Sequence, residues 1–343
     1  MHFDVMTRAD SWQNVATFAR DVERVGISGL LFTEAGQVPW MMIAAAAQAA
    51  PSLHHSTGIA VAFPRSPMIS AQIAWELASN TKGKFRLGLG SQVKPHIERR
   101  YGVKFEQPAK RMRDYMLAVK ASIQAFRGNE RLDHNGPFYK LNLLTPQWSP
   151  PRHDYENIKI DMSAVNPLML KVTGEVADGL HVHPMHSMPY IKNRVLPALK
   201  EGAQSAGRNL SDIDLIIPVL AVPGDSPEEQ ADMAKEAKTA IGFYGSTPVY
   251  AFQFDDLGYE GVRLKLAETL RSGGREALAA EVSDELLDQF GLVARWDDMA
   301  DKLIDRYNGI ASRVVMYLAK PSILKNPKNL EKWGEIARAV QAA

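Results

Sequence analysis

Short, nearly unbroken apolar runs recur along the chain, and each is followed by a longer stretch with helical spacing. The first run, 3–6, leads into a segment where Trp12, Val15, Ala16, Ala19, Val22 and Val25 recur at helical intervals. That spacing places them on one helical face. Ser11 stands where an N-cap belongs, and Gly26 where a left-handed cap ends such a helix. GLLFTE, at 29–34, is apolar at successive positions, as a strand covered on both faces requires. Residues 39–50 are helical. The third strand is expected at 58–63, stopped by Pro64-Arg65-Ser66-Pro67, with a helix over 67–79 that starts on Pro67. His54 and His55 then fall in a solvated loop ahead of it. KFRLGLG, at 84–90, is the fourth strand.

Beyond it the alternation loosens. Residues 96–102 and 108–126 read as helices, and 132–148 as hairpin-like pieces. Four further strands are expected at 158–165, 179–184, 213–222 and 313–318. Helices are expected at 167–177, 190–206, 228–241, 296–307 and 330–342, and 242–290 holds only short helices. Eight strands separated by helices predict an α/β chain folded as a (β/α)8 TIM barrel. It has insertions after strands 4 and 7, at about 128–157 and 242–290, within one domain spanning 1–343. An open doubly wound sheet is the competing arrangement, but the first strand-to-helix turn carries no GxGxxG.

Composition narrows the possibilities. Of 343 residues, 45% are hydrophobic, enough for a large core. Forty basic against 39 acidic residues leave a formal charge of +1, so no overall field draws in nucleic acid or a membrane surface. No apolar run reaches the ~18 residues a membrane span needs. The absence of cysteine removes disulfides, thiolate metal sites and cysteine nucleophiles. MHFDVMTRAD shows no basic-then-apolar leader pattern, and a cytoplasmic location is expected.

In a barrel, chemistry collects where strands end. The ends here are Thr33-Glu34, Ala62-Phe63-Pro64-Arg65, Gly90-Ser91-Gln92 followed by Val93-Lys94-Pro95-His96, Met162-Ser163-Ala164, and His183-Pro184. This mixture of polar and apolar groups suits a flat aromatic ligand held by a few directed hydrogen bonds. Gly88 and Gly90 would let a ligand approach the backbone, although a tight strand corner needs the same glycines. Asn166 and Pro167 suit the start of a helix, where free amides attract an anion such as phosphate. His181, His183 and His186 imitate a metal cluster that would serve a barrel hydrolase. No carboxylate is conveniently spaced with them, so a pocket wall with His183 at the strand end is the better reading, and no metal is expected. Glu34 closes an otherwise uncharged strand, either in a rim salt bridge or against a ligand. Arg99 and Arg100 form a basic face that solvent or an anionic tail could meet. No Ser-His-Asp order, P-loop or paired catalytic carboxylates stand out.

Most of the chain resembles the bacterial luciferase-like family of flavin and deazaflavin oxidoreductases. The likeness is carried by TGIAVAFPRSPMISAQIAWELASNTKGKFRLGLGSQVKPHIERRYG, MSAVNPLMLKVTGEVADGLHVHP and RWDDMADKLIDRY. The first block is most similar to the branch that uses coenzyme F420. The resemblance implies a barrel, usually dimeric, with the coenzyme lying across the C-terminal strand ends. It implies a non-proline cis peptide in strand 3 that supports the ring, with its counterpart at Ala60-Val61 and Ala62 following. Gly90, Ser91, Gln92 and His96 would lie beside the ring and ribityl chain, and Ser163, Ala164 and Val165 by the phosphate. His183 would be an active-site wall residue and Glu34 an acidic neighbour of the coenzyme. His96, His183 and Glu34 are therefore the expected catalytic residues, a histidine moving the proton and Glu34 orienting it. Val93 replaces an acid of some F420-dependent dehydrogenases, and Ala35 a histidine. The sugar-phosphate dehydrogenase mechanism is therefore not expected.

The implied function is F420-dependent hydride transfer between the deazaflavin C5 and a small, mainly apolar organic substrate. One alternative is an FMN-dependent monooxygenase using reduced flavin and O2, supplied by a separate flavin reductase. Another is a barrel that binds the cofactor without catalysis. The expected partners are a small-molecule substrate and a second copy of the chain, with no nucleic acid or membrane.

Overall fold

The computed structural model describes residues 1–8 and 10–343. The strands are β1 (His2–Thr7), β2 (Gly29–Phe32), β3 (His54–Thr57), β4 (Ala60–Val61), β5 (Phe85–Gly90), β6 (His134–Asn135), β7 (Lys140–Leu141), β8 (Lys159–Ser163), β9 (Gly179–His181), β10 (Asp214–Pro223), β11 (Gly291–Ala294) and β12 (Arg313–Met316). A parallel ladder runs from β1 through β2 and β3 to β5, then through β8, β9 and β10 to β12, which pairs with β1 again. With β3 and β4 as two halves of one broken strand, this is a closed eight-stranded barrel ringed by helices, the expected (β/α)8 fold. Closure pairs both sides of the ring strands except at β4, which pairs with β5 alone and turns its Val61 amide to the Glu34 side chain.

The main core lies between barrel and helices. Phe3 and Val5 face outward, and Phe3 packs on Trp333 of the helix Asn329–Ala342, with ring centroids 6.2 Å apart. Alternate strand residues point the other way, into the barrel. There a small apolar plug of Met6, Leu31, Ile216 and Val315 shares the space with ion pairs. Arg86 reaches Asp161 through Nε (2.9 Å) and Nη2 (2.7 Å), and Asp214 through Nη1 (2.7 Å). Arg313 grips Asp4 with bonds of 2.6 and 2.8 Å.

This polar interior corrects one expectation. His54 and His55 are not in a solvated loop but in β3, and His55 is buried. The third strand therefore starts at His54 and breaks after Thr57, rather than running over 58–63. The break carries a cis peptide at Gly58-Ile59, two residues before the expected Ala60-Val61, which lie instead in β4. A strand at Gly291–Ala294, absent from the sequence reading, pairs with the outer end of β10.

The first insertion carries the antiparallel pair β6–β7. Asp114, buried in the helix Pro108–Phe126, organises it by accepting hydrogen bonds from the backbone of Phe138 (2.7 Å) and Tyr139 (2.9 Å) and by meeting His134 Nε2 (2.8 Å). A Cβ on Gly136 would lie 1.7 Å from Asp114 Oδ1. Gly136→Ala is expected to cost about 1–3 kcal/mol through overpacking, read as a lower denaturation midpoint and faster proteolysis within 128–157. An unchanged midpoint would show that the hairpin does not rest on Asp114. The second insertion, 242–290, is built of short helices. Among the described residues no helix is long and apolar enough to cross a membrane.

Candidate active site at the barrel mouth

The turn Pro64-Arg65-Ser66-Pro67 folds the chain back on the strand it ends. The Arg65 amide donates to Ala62 O (2.9 Å), Ser66 caps the helix Pro67–Asn80, and Pro67 occupies its first turn. Arg65 then clasps Glu34 through Nη1 (2.8 Å) and Nη2 (2.5 Å), and also donates to Val61 O (2.6 Å). Glu34 accepts a third bond from the Val61 amide (2.8 Å), and its side chain is 3% exposed. The Arg65 guanidinium lies 5.5 Å from the Trp40 ring centroid. This pair ties the end of β2 to β4. Glu34 makes no hydrogen bond to His96 or His183 among the described residues; its oxygens accept from Arg65 and Val61.

Ala60, Val61 and Ala62 are buried and belong to the ladder against β5. The Val61 amide and carbonyl are taken by Glu34 and Arg65, and the Ala62 amide by Gly90 O. The cis peptide expected at Ala60-Val61 lies two residues earlier, between half-exposed Gly58 and Ile59. Thr57 bridges the break, with its Oγ1 donating to Gly88 O (2.7 Å) and accepting from the Gly88 amide (2.9 Å). Beside it, a Cβ on Gly90 would lie 2.5 Å from Ser163 Oγ and 2.8 Å from Ile59 Cδ1. Ile59, Gly90 and Ser163 thus meet at one point on the mouth. The Ser163 hydroxyl makes no hydrogen bond among the described residues.

The rim is shaped locally. Ser91 Oγ donates to Gln92 O (3.1 Å), and Gln92, at φ 58°, accepts from the Val93 amide through Oε1 (2.9 Å). Val93 is 37% exposed, and His96, in a short π-helical turn His96–Arg100, is exposed as well. Arg100 donates to Ala35 O and so joins this loop to the one after β2. Ala164 is buried, and Val165 O accepts from Tyr190 OH (2.8 Å). Asn166 is the N-cap residue of the helix Pro167–Val176, yet its side chain makes no capping bond. The first amides of that helix have no acceptor within it.

The three histidines after β8 go separate ways. His181 Nε2 lies 3.6 Å from Asp161 Oδ2, and His186 Nε2 meets Tyr307 OH (3.2 Å). His183 stacks on Tyr250, with centroids 4.3 Å apart, and meets Tyr244 edge-on at 4.6 Å. Burial pushes the His183 pKa down to about 3. Burial thus disfavours the charged form of the ring. Among the described residues no group of three or more His, Cys, Asp or Glu could hold a metal ion. Tyr317, on the barrel plug, neighbours Tyr244 and Arg8, and burial raises its pKa.

Sequence reasoning did not pair Arg65 with Glu34. A charged residue inside a proline-bracketed turn was the signal available. It also missed the ion pairs beneath the mouth, signalled by single charges inside apolar strands at Asp4, Arg86, Asp161 and Arg313.

Residues 1–313 match the family described as luciferase-like monooxygenase. An uncharacterised protein of Mycobacterium tuberculosis H37Rv is 34% identical over 294 residues, 86% of each chain. The 5,10-methylenetetrahydromethanopterin reductase of Archaeoglobus fulgidus is 24% identical over 260 residues, covering 75% of this chain and 74% of the reductase. The solved structure of the coenzyme F420 dependent tetrahydromethanopterin reductase of Methanopyrus kandleri superposes with a TM-score of 0.80 at 19% identity, covering 97% of each chain.

Proposed function

The chain belongs to the luciferase-like monooxygenase family, and from that premise we propose that it is a cytoplasmic, homodimeric F420-dependent oxidoreductase acting on a small, mainly apolar organic substrate. The observation that carries the reading is the ledge at the broken strand. Half-exposed Gly58 and Ile59 adjoin buried Gly90, whose lack of a side chain lets the Ile59 and Ser163 side chains lie over the end of β5, and the Ser163 hydroxyl makes no hydrogen bond among the described residues. A planar ring system packs on such a small, mainly apolar surface. The uncapped start of the helix Pro167–Val176 fits the phosphate that both F420 and FMN carry. When bound, the deazaflavin supplies a carbon that takes up or releases a hydride.

This chain's own residues bind and orient. Gly58, Ile59 and Gly90 form the ledge, with Ser91 and Gln92 shaping its rim. Ser163, Ala164 and Val165 lead to the phosphate end. Glu34 and Arg65 hold the ledge in place. His183 acts as a neutral hydrogen-bond donor, and exposed His96 is the histidine left to exchange a proton with solvent. The similarity to F420-dependent reductases favours the deazaflavin. The second reading, an FMN-dependent monooxygenase fed by a separate flavin reductase, is favoured by the description of the matched family.

Parallel titration with F420 and FMN, followed by absorbance and fluorescence, separates the two. F420 is expected to bind at least tenfold more tightly, about 1.4 kcal/mol or more. Tighter FMN binding with oxygen consumption in the presence of a reductase would replace this reading with the monooxygenase. Binding of neither would overturn both.

A further inference from the structure

We propose that a groove on the outer wall of the barrel is a second ligand site, which takes a small molecule bearing both a carboxylate and an ammonium group on an apolar frame, as a free α-amino acid does. The groove lies between the helical segment 188–195, the helix Met299–Tyr307 and the free edge of β11, and it shares no residue with the ledge. The inference therefore stands apart from the coenzyme reading.

The floor follows from the way β11 pairs. It lies at the end of its sheet and bonds to β10 alone. The Gly224 amide donates to Ala294 O at 3.1 Å, so Leu292 and Ala294 turn their backbone groups towards β10. Alternation along the strand then turns those of Gly291 and Val293 to the open edge. Two cations of one helix close on that edge. Arg306 donates to Gly291 O, and Lys302 Nζ to Val293 O at 3.1 Å. The Val293 N–H falls between these carbonyls, which stand about 7 Å apart at ~3.3 Å per residue. A guanidinium, an amide and an ammonium thus line one short stretch of backbone.

A cavity of about 490 Å³ opens beside this edge, within the range of small-molecule sites, ~300–1,000 Å³. Met188, Leu292 and Val293 supply its apolar surface, Lys192 adds a third cation, and Asp288 and Asp305 supply carboxylates. Among the described residues none of these charged groups is in an ion pair. Lys302 and Arg306 stand one helical turn apart, where like charges repel, and Asp305 between them pairs with neither. A carboxylate against the Val293 N–H would relieve that repulsion and gain charge-assisted bonds. A dianion would meet the repulsion of Asp288 and Asp305, and a lone ammonium that of the cations. A molecule with one charge of each sign answers both sets, and its apolar frame covers Met188 and Leu292.

The groove backs on the loop that carries His183. Met188 follows that loop directly, and Tyr307, next to Arg306, meets His186 Nε2 through its hydroxyl at 3.2 Å. A ligand held here rests on segments that continue to the barrel mouth.

The test uses the full chain and leucine as the probe, beside 4-methylpentanoate, which lacks the ammonium, and 3-methylbutylamine, which lacks the carboxylate. Binding is measured by ligand-observed NMR titration at low salt, because exposed charge pairs are screened. Leucine is expected to bind saturably, and about threefold or more tightly than either partial analogue. Lys302→Met keeps the apolar stem and removes the charge. It should weaken leucine and 4-methylpentanoate about twofold to fivefold and leave the amine no weaker. Asp305→Asn should weaken leucine by a similar factor and leave 4-methylpentanoate no weaker. Gly90→Val, which obstructs the ledge, should leave leucine binding unchanged. Matching circular dichroism shows that each variant is folded. No saturable leucine binding up to about 20 mM, leucine binding no tighter than 4-methylpentanoate, or full leucine affinity in Lys302→Met would overturn the proposal. Loss of leucine binding in Gly90→Val would place the molecule at the mouth and overturn it too. None of these results bears on the coenzyme assignment, which rests on the F420 and FMN titration alone.

Discussion

Replacing Arg86 by methionine is expected to cost about 3–5 kcal/mol of stability at neutral pH, because it strips the cation from a buried carboxylate. The Asp161 side chain is 0% exposed and that of Arg86 14% exposed. Without the guanidinium, Asp161 faces only His181, 3.6 Å away. In the native protein burial pushes the Asp161 pKa up, but the Arg86 charge and its two hydrogen bonds, with His181 nearby, outweigh it and hold the group below the usual carboxylate range. A carboxyl whose folded pKa is depressed stabilises the fold fully above its unfolded pKa, about 3.9, and loses that contribution as the pH falls through the folded value. In the variant burial prevails and the folded pKa rises, so the native-to-variant gap is widest at neutral pH and narrows towards pH 4. Urea denaturation at pH 7 and pH 4 measures both gaps. A loss under 1 kcal/mol at pH 7, or equal losses at both pH values, would show that the pair is not ionised in the folded barrel. Adding Asp161→Leu should recover much of the loss, since the unpaired charge then disappears.

The second large effect is on binding. Gly90→Val should lower coenzyme affinity about a hundredfold, ~2.7 kcal/mol, with a measurable fall in the thermal midpoint from overpacking but a folded protein at the titration temperature. The first atom added at Gly90 meets Ser163 Oγ at 2.5 Å and Ile59 Cδ1 at 2.8 Å. These two atoms end side chains that can rotate, but Ile59 Cγ1 also lies at 2.8 Å, so the fold survives at some cost in stability. The rotated groups and the valine methyls would then occupy the ledge where the ring is to lie. Titration with F420 beside a melting curve reads both quantities. Full affinity with an intact fold would put the coenzyme elsewhere on the molecule. Ser163→Ala is the milder companion, removing a bond without blocking space, with a loss of about threefold to tenfold.

Much of this was legible because each barrel strand is covered on its outer side by helices, and that side must be apolar. Phe3 and Val5, Leu30 and Phe32, and Leu87 and Leu89 announce their strands whatever lies inside. The beginning of the third strand was hidden for the complementary reason. His54-His55-Ser56-Thr57 is polar in composition, and polar runs are read as loops. The structure instead places His54 beside His2, ring centroids 5.3 Å apart, and uses Thr57 to bridge to Gly88. Misplacing that strand moved the expected cis peptide from Gly58-Ile59 to Ala60-Val61. The strand Gly291–Ala294 was missed because four residues between helices have too little length to show a period.

The site divides the same way. The candidate positions Glu34, Gly90, Ser163 and His183 could be named because they follow recognisable strands, and strand ends are where a barrel exposes its residues. Their partners could not. Glu34 bonds Arg65, 31 residues later, and His183 stacks on Tyr250, 67 residues later. The amino-acid order alone determined the alternation of strands and helices, hence the barrel and the rim on which chemistry could collect, because burial periodicity is a local property of the chain. Only the tertiary structure decided that Glu34 pairs with Arg65, that the His183 ring packs between Tyr244 and Tyr250 and that the barrel interior is ionic. Hydrogen-bond partners and pKa values depend on which groups meet across the fold, and on how much water is left between them.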